Sequence, residues 1–202
     1  MAKFYRICNP APRNRFLTSL RLRYDSTMSK FSIESAIRQV PDFPLPGILF
    51  FDILPLLKDP KHFATLTKEL SVFANAIDVV VGIEARGLIL GSAVAQHLGK
   101  GFVPLRKKGK LPGATLEESY GLEYGKDTLE IQEGVLNCGD RVLLIDDVLA
   151  TGGTLVAGVK LIHQCGAVVE SAVVALEVEG LPGRSSFVGE FPDVALNSLF
   201  IK

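Results

Sequence analysis

The groups in this sequence that are best suited to chemistry are two adjacent carboxylates, Asp146 and Asp147, and the small, hydroxyl-bearing loop that follows them. An apolar run at residues 142–145 precedes the carboxylates, and apolar residues at helical spacing follow the loop. This pattern predicts the order strand, acid pair, loop and helix. The loop consists of Ala150, Thr151, Gly152, Gly153 and Thr154.

A loop of this composition can bind a phosphate group. Where it turns into a helix, free backbone N–H groups and the positive end of the helix dipole face the ligand. The two glycines permit close approach of the backbone, and the threonine hydroxyls add donors. Carboxylates instead suit hydroxyl groups or a hard cation such as Mg²⁺. A ligand with a phosphate at one end and a diol in the middle, such as a ribose 5-phosphate, therefore fits the stretch.

Two considerations limit this prediction. A Gly-Gly turn after a buried strand is also common as an ordinary strand-to-helix connection. Adjacent residues of an ideal strand face opposite sides of the sheet, so Asp146 and Asp147 can serve one sugar only if the pleat breaks there. The dense combination of carboxylates, threonines and glycines nevertheless favours a ligand site.

The elements that must position these groups alternate between strands and helices. Such alternation with short connections predicts one α/β domain, in which helices flank a mostly parallel central sheet. The predicted strands are residues 79–83, 102–105, 129–132, 141–145 and 168–178, and the predicted helices are residues 33–40, 60–77, 86–98 and the segment from the phosphate loop to Gly166.

Polar clusters follow three of the predicted strands. They are residues 84–87, which include Arg86, residues 106–108, and the acid pair Asp146 and Asp147. Because ligands of parallel sheets bind at the carboxyl ends of the strands, we expect all three clusters to lie on one functional edge.

Residues 107–125 are long, polar and glycine-bearing, which predicts a mobile active-site loop. At its start, residues 106–110 hold four cations, which suit either a solvated surface turn or a pyrophosphate group. Near its end, Glu123 stands between Tyr120 and Tyr124. A carboxyl group held against apolar surface has a raised pKa and can exchange protons near neutrality. Simple packing of a loop acid beside the tyrosines explains the pattern equally well.

The overall composition is that of a globular protein. Of the 202 residues, 48% are hydrophobic and 22% are charged, and the formal net charge is zero. No apolar run is long enough to span a bilayer, and the charge offers no argument for nucleic-acid binding, so neither partner is expected. The cysteines and histidines lack metal-ligand spacing, so no metal site built by the protein is predicted. A cytoplasmic location is expected.

Residues 1–27 differ from the rest of the chain. They carry six Lys or Arg residues and one acid, Asp25. This composition fits an organelle transit peptide, a disordered basic tail, or an extension ahead of an internal start at Met28. We expect residues 28–202 to form the folded domain and residues 1–27 to lie outside it.

Five motifs occur in order along the chain and together resemble the type I phosphoribosyltransferases, in particular the branch of this family that uses adenine. The resemblance runs from about residue 33 to the end of the helix after the phosphate loop. The motifs are residues 43–50 (Phe-Pro-Leu-Pro-Gly-Ile-Leu-Phe), 84–87 (Glu-Ala-Arg-Gly), 106–113 (Arg-Lys-Lys-Gly-Lys-Leu-Pro-Gly), 122–125 (Leu-Glu-Tyr-Gly) and the phosphate loop.

The resemblance implies a reaction of purine salvage, in which adenine and 5-phosphoribosyl-1-diphosphate (PRPP) give AMP and pyrophosphate. Mg²⁺ is implied as a cofactor that enters mainly with PRPP. By position, residues 150–154 would hold the 5-phosphate, and Asp146 and Asp147 would face the ribose hydroxyls and support the cationic sugar. Glu123 would be the catalytic residue that handles the proton on the N7 side of adenine, with Tyr124 shaping the loop.

The same resemblance assigns the remaining roles. Arg86, with Lys107 and Lys110 as weaker candidates, would neutralise the departing pyrophosphate. The backbone near Leu49 and Phe51 would recognise adenine. Phe51 replaces a charged residue of many relatives, a change that a main-chain contact would tolerate. Closure of the mobile loop would exclude water, and a homodimer is common in the family.

Two alternatives remain open at this level. One is a non-catalytic regulator that senses PRPP and binds nucleic acid, for which the basic segment at residues 1–27 is the candidate surface. The other is a related transferase that acts on guanine, xanthine or orotate. The Leu-Glu-Tyr-Gly motif at residues 122–125 argues against both.

Overall fold

The structure is a computed structural model that describes residues 33–122 and 125–202. The chain divides into two compact units, the first ending at Leu66 and the second running from Thr67 to Lys202. Each unit is described by itself.

The first unit contains an antiparallel ribbon of β1 (Arg38–Pro41) and β2 (Leu49–Asp52), followed by the short helix α1 (Leu54–Lys58). The helix predicted for residues 33–40 is confined to residues 33–35, so the prediction is wrong for the remainder. Val40 precedes a proline, which disfavours helical backbone. In addition, the guanidinium of Arg38 is bonded to Asp52 across the ribbon.

The helix α2 (Pro60–Ser71) begins with a proline, which is favoured at the first helical position. The Asp59 side chain caps it, because its Oδ1 accepts hydrogen bonds of 2.9 Å from the backbone N–H groups of Lys61 and His62. The helix is shorter than the predicted range 60–77. By Ala76 the chain has a φ of 52°, which is incompatible with a continuing helix.

The rest of the second unit consists of strands and helices that largely alternate. Their bounds are β3 (Val79–Ile83), α3 (Arg86–Leu98), β4 (Gly101–Lys107), β5 (Thr115–Leu122), β6 (Gly125–Gln132), β7 (Arg141–Leu149), α4 (Gly153–Gln164), β8 (Val168–Glu177), α5 (Gly183–Glu190) and β9 (Ala195–Ile201). Within the described ranges, none of the helices has the length and apolar character needed to cross a bilayer.

These strands form one sheet in the order β5-β6-β4-β3-β7-β8-β9. The neighbours from β4 to β9 are parallel, whereas β6 is antiparallel to both β4 and β5. The central strands β3 and β7 are buried along their length, as continuous apolar runs in a helix-covered parallel sheet should be. The predicted mostly parallel α/β sheet with flanking helices is therefore confirmed.

Residues 115–122 and 125–132 pair as a β-ribbon. The strand predicted at residues 129–132 is confirmed, whereas residues 115–122 were predicted to lie in a loop. The loop prediction is wrong for residues 115–122. This segment is polar and contains a glycine, so it forms a strand because it pairs with β6, which in turn pairs with β4. The mobility of this segment stays a prediction. The elements α5 and β9 were not predicted at all.

Candidate active site

The phosphate loop joins the end of β7 to the start of α4, as predicted. Gly152 adopts a φ of 87° and directs the chain into the helix, which begins at Gly153. Among the described side chains none caps this N-terminus, so its backbone N–H groups are available to a ligand. A cavity of about 220 Å³ lies here, lined by Val148, Leu149, Ala150, Thr151, Gly152, Thr154 and Leu155. Four of the five predicted loop residues thus line one cavity.

Asp146 and Asp147 lie within β7, which continues to Leu149 instead of ending before them. Both residues are buried, with 6% and 5% of their surface exposed. Burial, followed by the neighbouring charge of Asp147, raises the pKa of Asp146 well above its ordinary value. The acid pair is therefore held in a poorly solvated position.

Both carboxylates approach the same turn, residues 84–87. The Arg86 Nε donates a hydrogen bond to Asp147 Oδ2. A Cβ atom at Gly87 would lie 3.0 Å from Asp146 Oδ1, so the first turn of α3 packs directly on the acid pair. The side chains of Asp146 and Asp147 therefore both approach residues 84–87, although the two aspartates are adjacent residues of the continuous strand β7.

The ends of β3 and β4 are tied together at the same edge. Arg106 Nε donates to Glu84 Oε2 over 2.9 Å, and the Lys107 backbone N–H donates to the same oxygen over 2.8 Å. The bond from Arg106 is the main reason why the pKa of Glu84 is lowered. These contacts, with the Arg86–Asp147 bond, confirm that the three predicted polar clusters share one edge of the sheet.

The two candidate lysines differ in their surroundings. Lys107 Nζ lies 2.7 Å from Asp127 Oδ2, and this contact raises the pKa of Lys107 and lowers that of Asp127. Lys110 is exposed, and its backbone N–H donates to Glu130 Oε1 over 2.7 Å. Sequence reasoning missed Asp127 and Glu130, although Glu130 lies in the strand predicted at residues 129–132 and Asp127 lies just before it.

Glu123 and Tyr124, the predicted catalytic residue and its neighbour, lie outside the described residues. The pairing of β5 with β6 extends to Leu122 opposite Gly125. The roles of Glu123 and Tyr124 remain predictions.

Leu49 and Phe51 belong to β2 of the first unit. Leu49 is 45% exposed, whereas Phe51 is buried, with 7% exposure. Recognition of adenine through the backbone at these residues stays a prediction.

The sequence profile of the phosphoribosyl transferase domain matches residues 56–185. The chain therefore belongs to the phosphoribosyl transferase domain family.

Within that family the chain is similar to adenine phosphoribosyltransferases. It is 50% identical over 163 residues to the adenine phosphoribosyltransferase of Synechococcus sp. (strain JA-3-3Ab), covering 79% of this chain and 93% of that protein. The crystal structure of the enzyme from Rhodothermus marinus matches with a TM-score of 0.81 and 44% identity, covering 87% of this chain and 99% of the other.

A further similar structure is that of the Saccharomyces cerevisiae adenine phosphoribosyltransferase, complexed with D-2,5-dideoxy-2,5-imino-altritol 1,6-bisphosphate and adenine. It matches with a TM-score of 0.80 and 35% identity, covering 86% of this chain and 99% of that one.

Proposed function

We propose that the chain transfers the 5-phosphoribosyl group of PRPP to adenine, a purine-salvage reaction that forms AMP and releases pyrophosphate. The observation that carries this proposal is the phosphate loop at residues 150–154 beside the buried acid pair. The adenine-type motifs at residues 106–113 and 122–125 support adenine as the base, as does the 50% identity to a named adenine phosphoribosyltransferase.

The 5-phosphate binds at the first turn of α4. Its donors are the backbone N–H groups of the loop, with the hydroxyls of Thr151 and Thr154, which line the same cavity. Because these donors belong to a loop that is already in place, little reorganisation accompanies binding.

The ribose hydroxyls donate to Asp146 and Asp147. As the bond to pyrophosphate breaks, the sugar becomes cationic, and a carboxylate in a poorly solvated site stabilises this charge more strongly than one in water. The bond from Arg86 fixes the Asp147 carboxylate in position.

The departing pyrophosphate is neutralised by Arg86, Lys107 and Lys110. Arg86 stands at the acid pair, and Lys110 has an exposed side chain. Lys107 must exchange its bond with Asp127 for one with the leaving group. This exchange would couple departure of pyrophosphate to β6 of the ribbon, which contains Asp127.

Glu123 handles the proton on the N7 side of adenine, and Tyr124 shapes the connection that carries it. Adenine recognition is assigned to the backbone at Leu49 and Phe51. Closure of the ribbon end over the reacting sugar keeps out water, which would otherwise capture it.

Mg²⁺ is proposed to enter with PRPP. In the described part of the chain, no group of three or more His, Cys, Asp or Glu side chains could hold a metal ion. Asp146 and Asp147 nevertheless offer the oxygen donors that a hard cation prefers. When bound, Mg²⁺ would neutralise charge on the diphosphate.

Residues 28–202 are proposed as the catalytic domain, with residues 1–27 not required for turnover. The family match at residues 56–185 lies inside this range. A homodimer, a cytoplasmic location and the absence of nucleic-acid and membrane partners complete the proposal, supported by the family resemblance and the zero net charge.

The direct test is nucleotide formation by the purified full chain with PRPP and Mg²⁺, offering adenine, guanine, hypoxanthine and orotate in parallel. We expect turnover with adenine alone, and the same rate from residues 28–202. Turnover with another base would reassign the substrate. Measurable PRPP binding without turnover of any base would favour the sensor alternative.

A further inference from the structure

The phosphate loop is supported from outside its cavity by the start of α5. A Cβ atom at Gly152 would lie 2.7 Å from the backbone oxygen of Gly183. A Cβ atom at Gly183 would overlap the backbone oxygen of Ala150. The cavity lining runs from Val148 to Leu155, so Gly183 contacts the loop on another side. Two backbones are thus in direct contact, and any larger residue at position 183 must displace the loop.

Arg184 holds this end of α5 in place. Its Nε donates to Glu177 Oε1 over 2.8 Å, its Nη1 to the Leu196 backbone oxygen over 3.1 Å, and its Nη2 to Ser198 Oγ over 3.1 Å. Ser198 Oγ in turn donates to Glu177 Oε2 over 2.8 Å. One guanidinium therefore connects α5 with the last residue of β8 and with the first half of β9.

The anchor point is adjacent to the phosphate loop along the sheet. Glu177 pairs with Leu149, the residue immediately before Ala150. The bond to Arg184 is the main reason why the pKa of Glu177 is lowered, so the pair is ionised throughout the neutral range. The Arg184–Glu177 pair therefore lies beside Leu149, the last residue of β7, from which the phosphate loop continues.

The helix itself is too weak to provide this support unaided. It has only eight residues, two of them glycines and two serines, and among the described side chains none caps its N-terminus. Isolated helices of this length are unstable in water. Its position therefore depends on tertiary contacts, of which the Arg184 bonds are the most specific.

We infer that Gly183 and Arg184 are positioning residues for the 5-phosphate of PRPP, because they hold the loop at residues 150–154 in its phosphate-binding conformation. This inference rests on the proposed function. It adds a pair of residues that lies outside all five motifs of the sequence.

The first test replaces Gly183 by Ala and uses Gly189→Ala as the matched control. Gly189 lies in the same helix, and among the described atoms nothing comes within 4 Å of a Cβ placed there. We expect Gly183→Ala to weaken ribose 5-phosphate binding and to raise the KM for PRPP, each by about tenfold or more. Pyrophosphate binding should stay within about twofold, and Gly189→Ala should change none of these values by more.

The second test replaces Arg184 by Gln and by Lys, with Arg141→Gln as the control. Arg141 makes an equivalent two-pronged bond to Asp78 at the opposite end of β7, over 3.0 and 2.9 Å. Arg184→Gln should raise the KM for PRPP more than it lowers kcat, with partial rescue by Lys. Arg141→Gln should leave both constants unchanged, even where it lowers the temperature of unfolding.

The outcomes separate this inference from the proposed function. Ribose 5-phosphate binding can be measured without turnover, so it reports on the loop even if adenine is not the substrate. If Gly183→Ala does not fold, the Arg184 variants decide alone. Unchanged ribose 5-phosphate binding in a folded Arg184→Gln, or equal weakening of pyrophosphate and ribose 5-phosphate, would overturn the inference.

Discussion

Two parts of the active-site edge are built in different ways. The phosphate loop follows a buried parallel strand, and its backbone is packed against other backbone at Gly152 and Gly183. The β5–β6 ribbon instead carries exposed ion pairs at its surface, such as the contact of Lys108 Nζ, just after β4, with Glu117 Oε2 of β5 at 2.7 Å. Close backbone packing thus supports the first region, whereas exposed ion pairs lie on the surface of the second.

This difference has a physical consequence for the site. Close-packed backbone cannot move without displacing a neighbouring element, whereas an exposed ion pair exchanges readily with water and contributes little to stability. The loop that we propose to bind the 5-phosphate is therefore held by its packing. The exposed ion pair between Lys108 and Glu117 is, by contrast, a contact that is easily altered.

The largest expected effect lies at the end of the ribbon. Replacing Glu123 by Ala should lower kcat by about a hundredfold or more, because it removes the proposed proton-handling group. PRPP binding, measured by titration calorimetry, should be mostly retained, since the phosphate loop is unchanged. Glu117→Ala, on the same ribbon, is the control. Unchanged turnover in Glu123→Ala would remove this residue from the mechanism.

The contact between the two regions can be tested at Gly153. A Cβ atom there would lie 2.9 Å from the backbone oxygen of Gly121 in β5, so Gly153→Ala must push the ribbon and the loop apart. We expect kcat and the KM for PRPP to worsen together, by about tenfold in kcat/KM. Among the described atoms nothing lies within 4 Å of a Cβ at Gly121, so Gly121→Ala should be nearly silent. Equal effects of the two variants would contradict this account.

Acid should weaken the ribbon through Asp127. The bond to Lys107 lowers the pKa of Asp127, so the folded state binds this proton less tightly than the unfolded state. The resulting stabilisation is complete above the ordinary aspartate pKa of about 3.9 and disappears as pH falls through the lowered value. In urea unfolding from about pH 5 to pH 2, Asp127→Asn should lose less stability than the parent. Parallel pH profiles would exclude a contribution from this pair.

The smallest effect is expected for Lys108. Its side chain is 63% exposed, and its bond to Glu117 is open to solvent. Lys108→Ala should therefore leave the unfolding temperature and kcat within experimental error, as is usual for exposed ion pairs. A clear loss of activity would show that this lysine contacts a substrate, and would extend the cationic site beyond Lys107 and Lys110.

Local sequence patterns predicted secondary structure correctly where the residues of a segment themselves determine its conformation. The apolar run before Asp146, the small residues that follow Asp147, and the helix from Arg86 to Gly99 are of this kind. Their bounds or their order were predicted correctly. A strand that is buried on both faces is a continuous apolar run in the sequence, and a helix that ends in a left-handed residue usually has a glycine there.

Partnerships between distant residues were not predictable in the same way. Residues 38–41 and 115–122 are strands because of the strands beside them, and nothing in their own composition requires it. Likewise Arg86 meets Asp147 only because separate segments converge in the fold.

The sequence by itself therefore predicted the ligand chemistry: a loop for phosphate, carboxylates for a sugar, and cations for a leaving group, each proposed from a few adjacent residues. The tertiary structure alone decided how these groups are held. Gly183 behind the loop, Gly87 against the acid pair and Asp127 beside Lys107 follow from distances between elements far apart in the chain. Such distances depend on the packing of the whole sheet, which no local pattern contains.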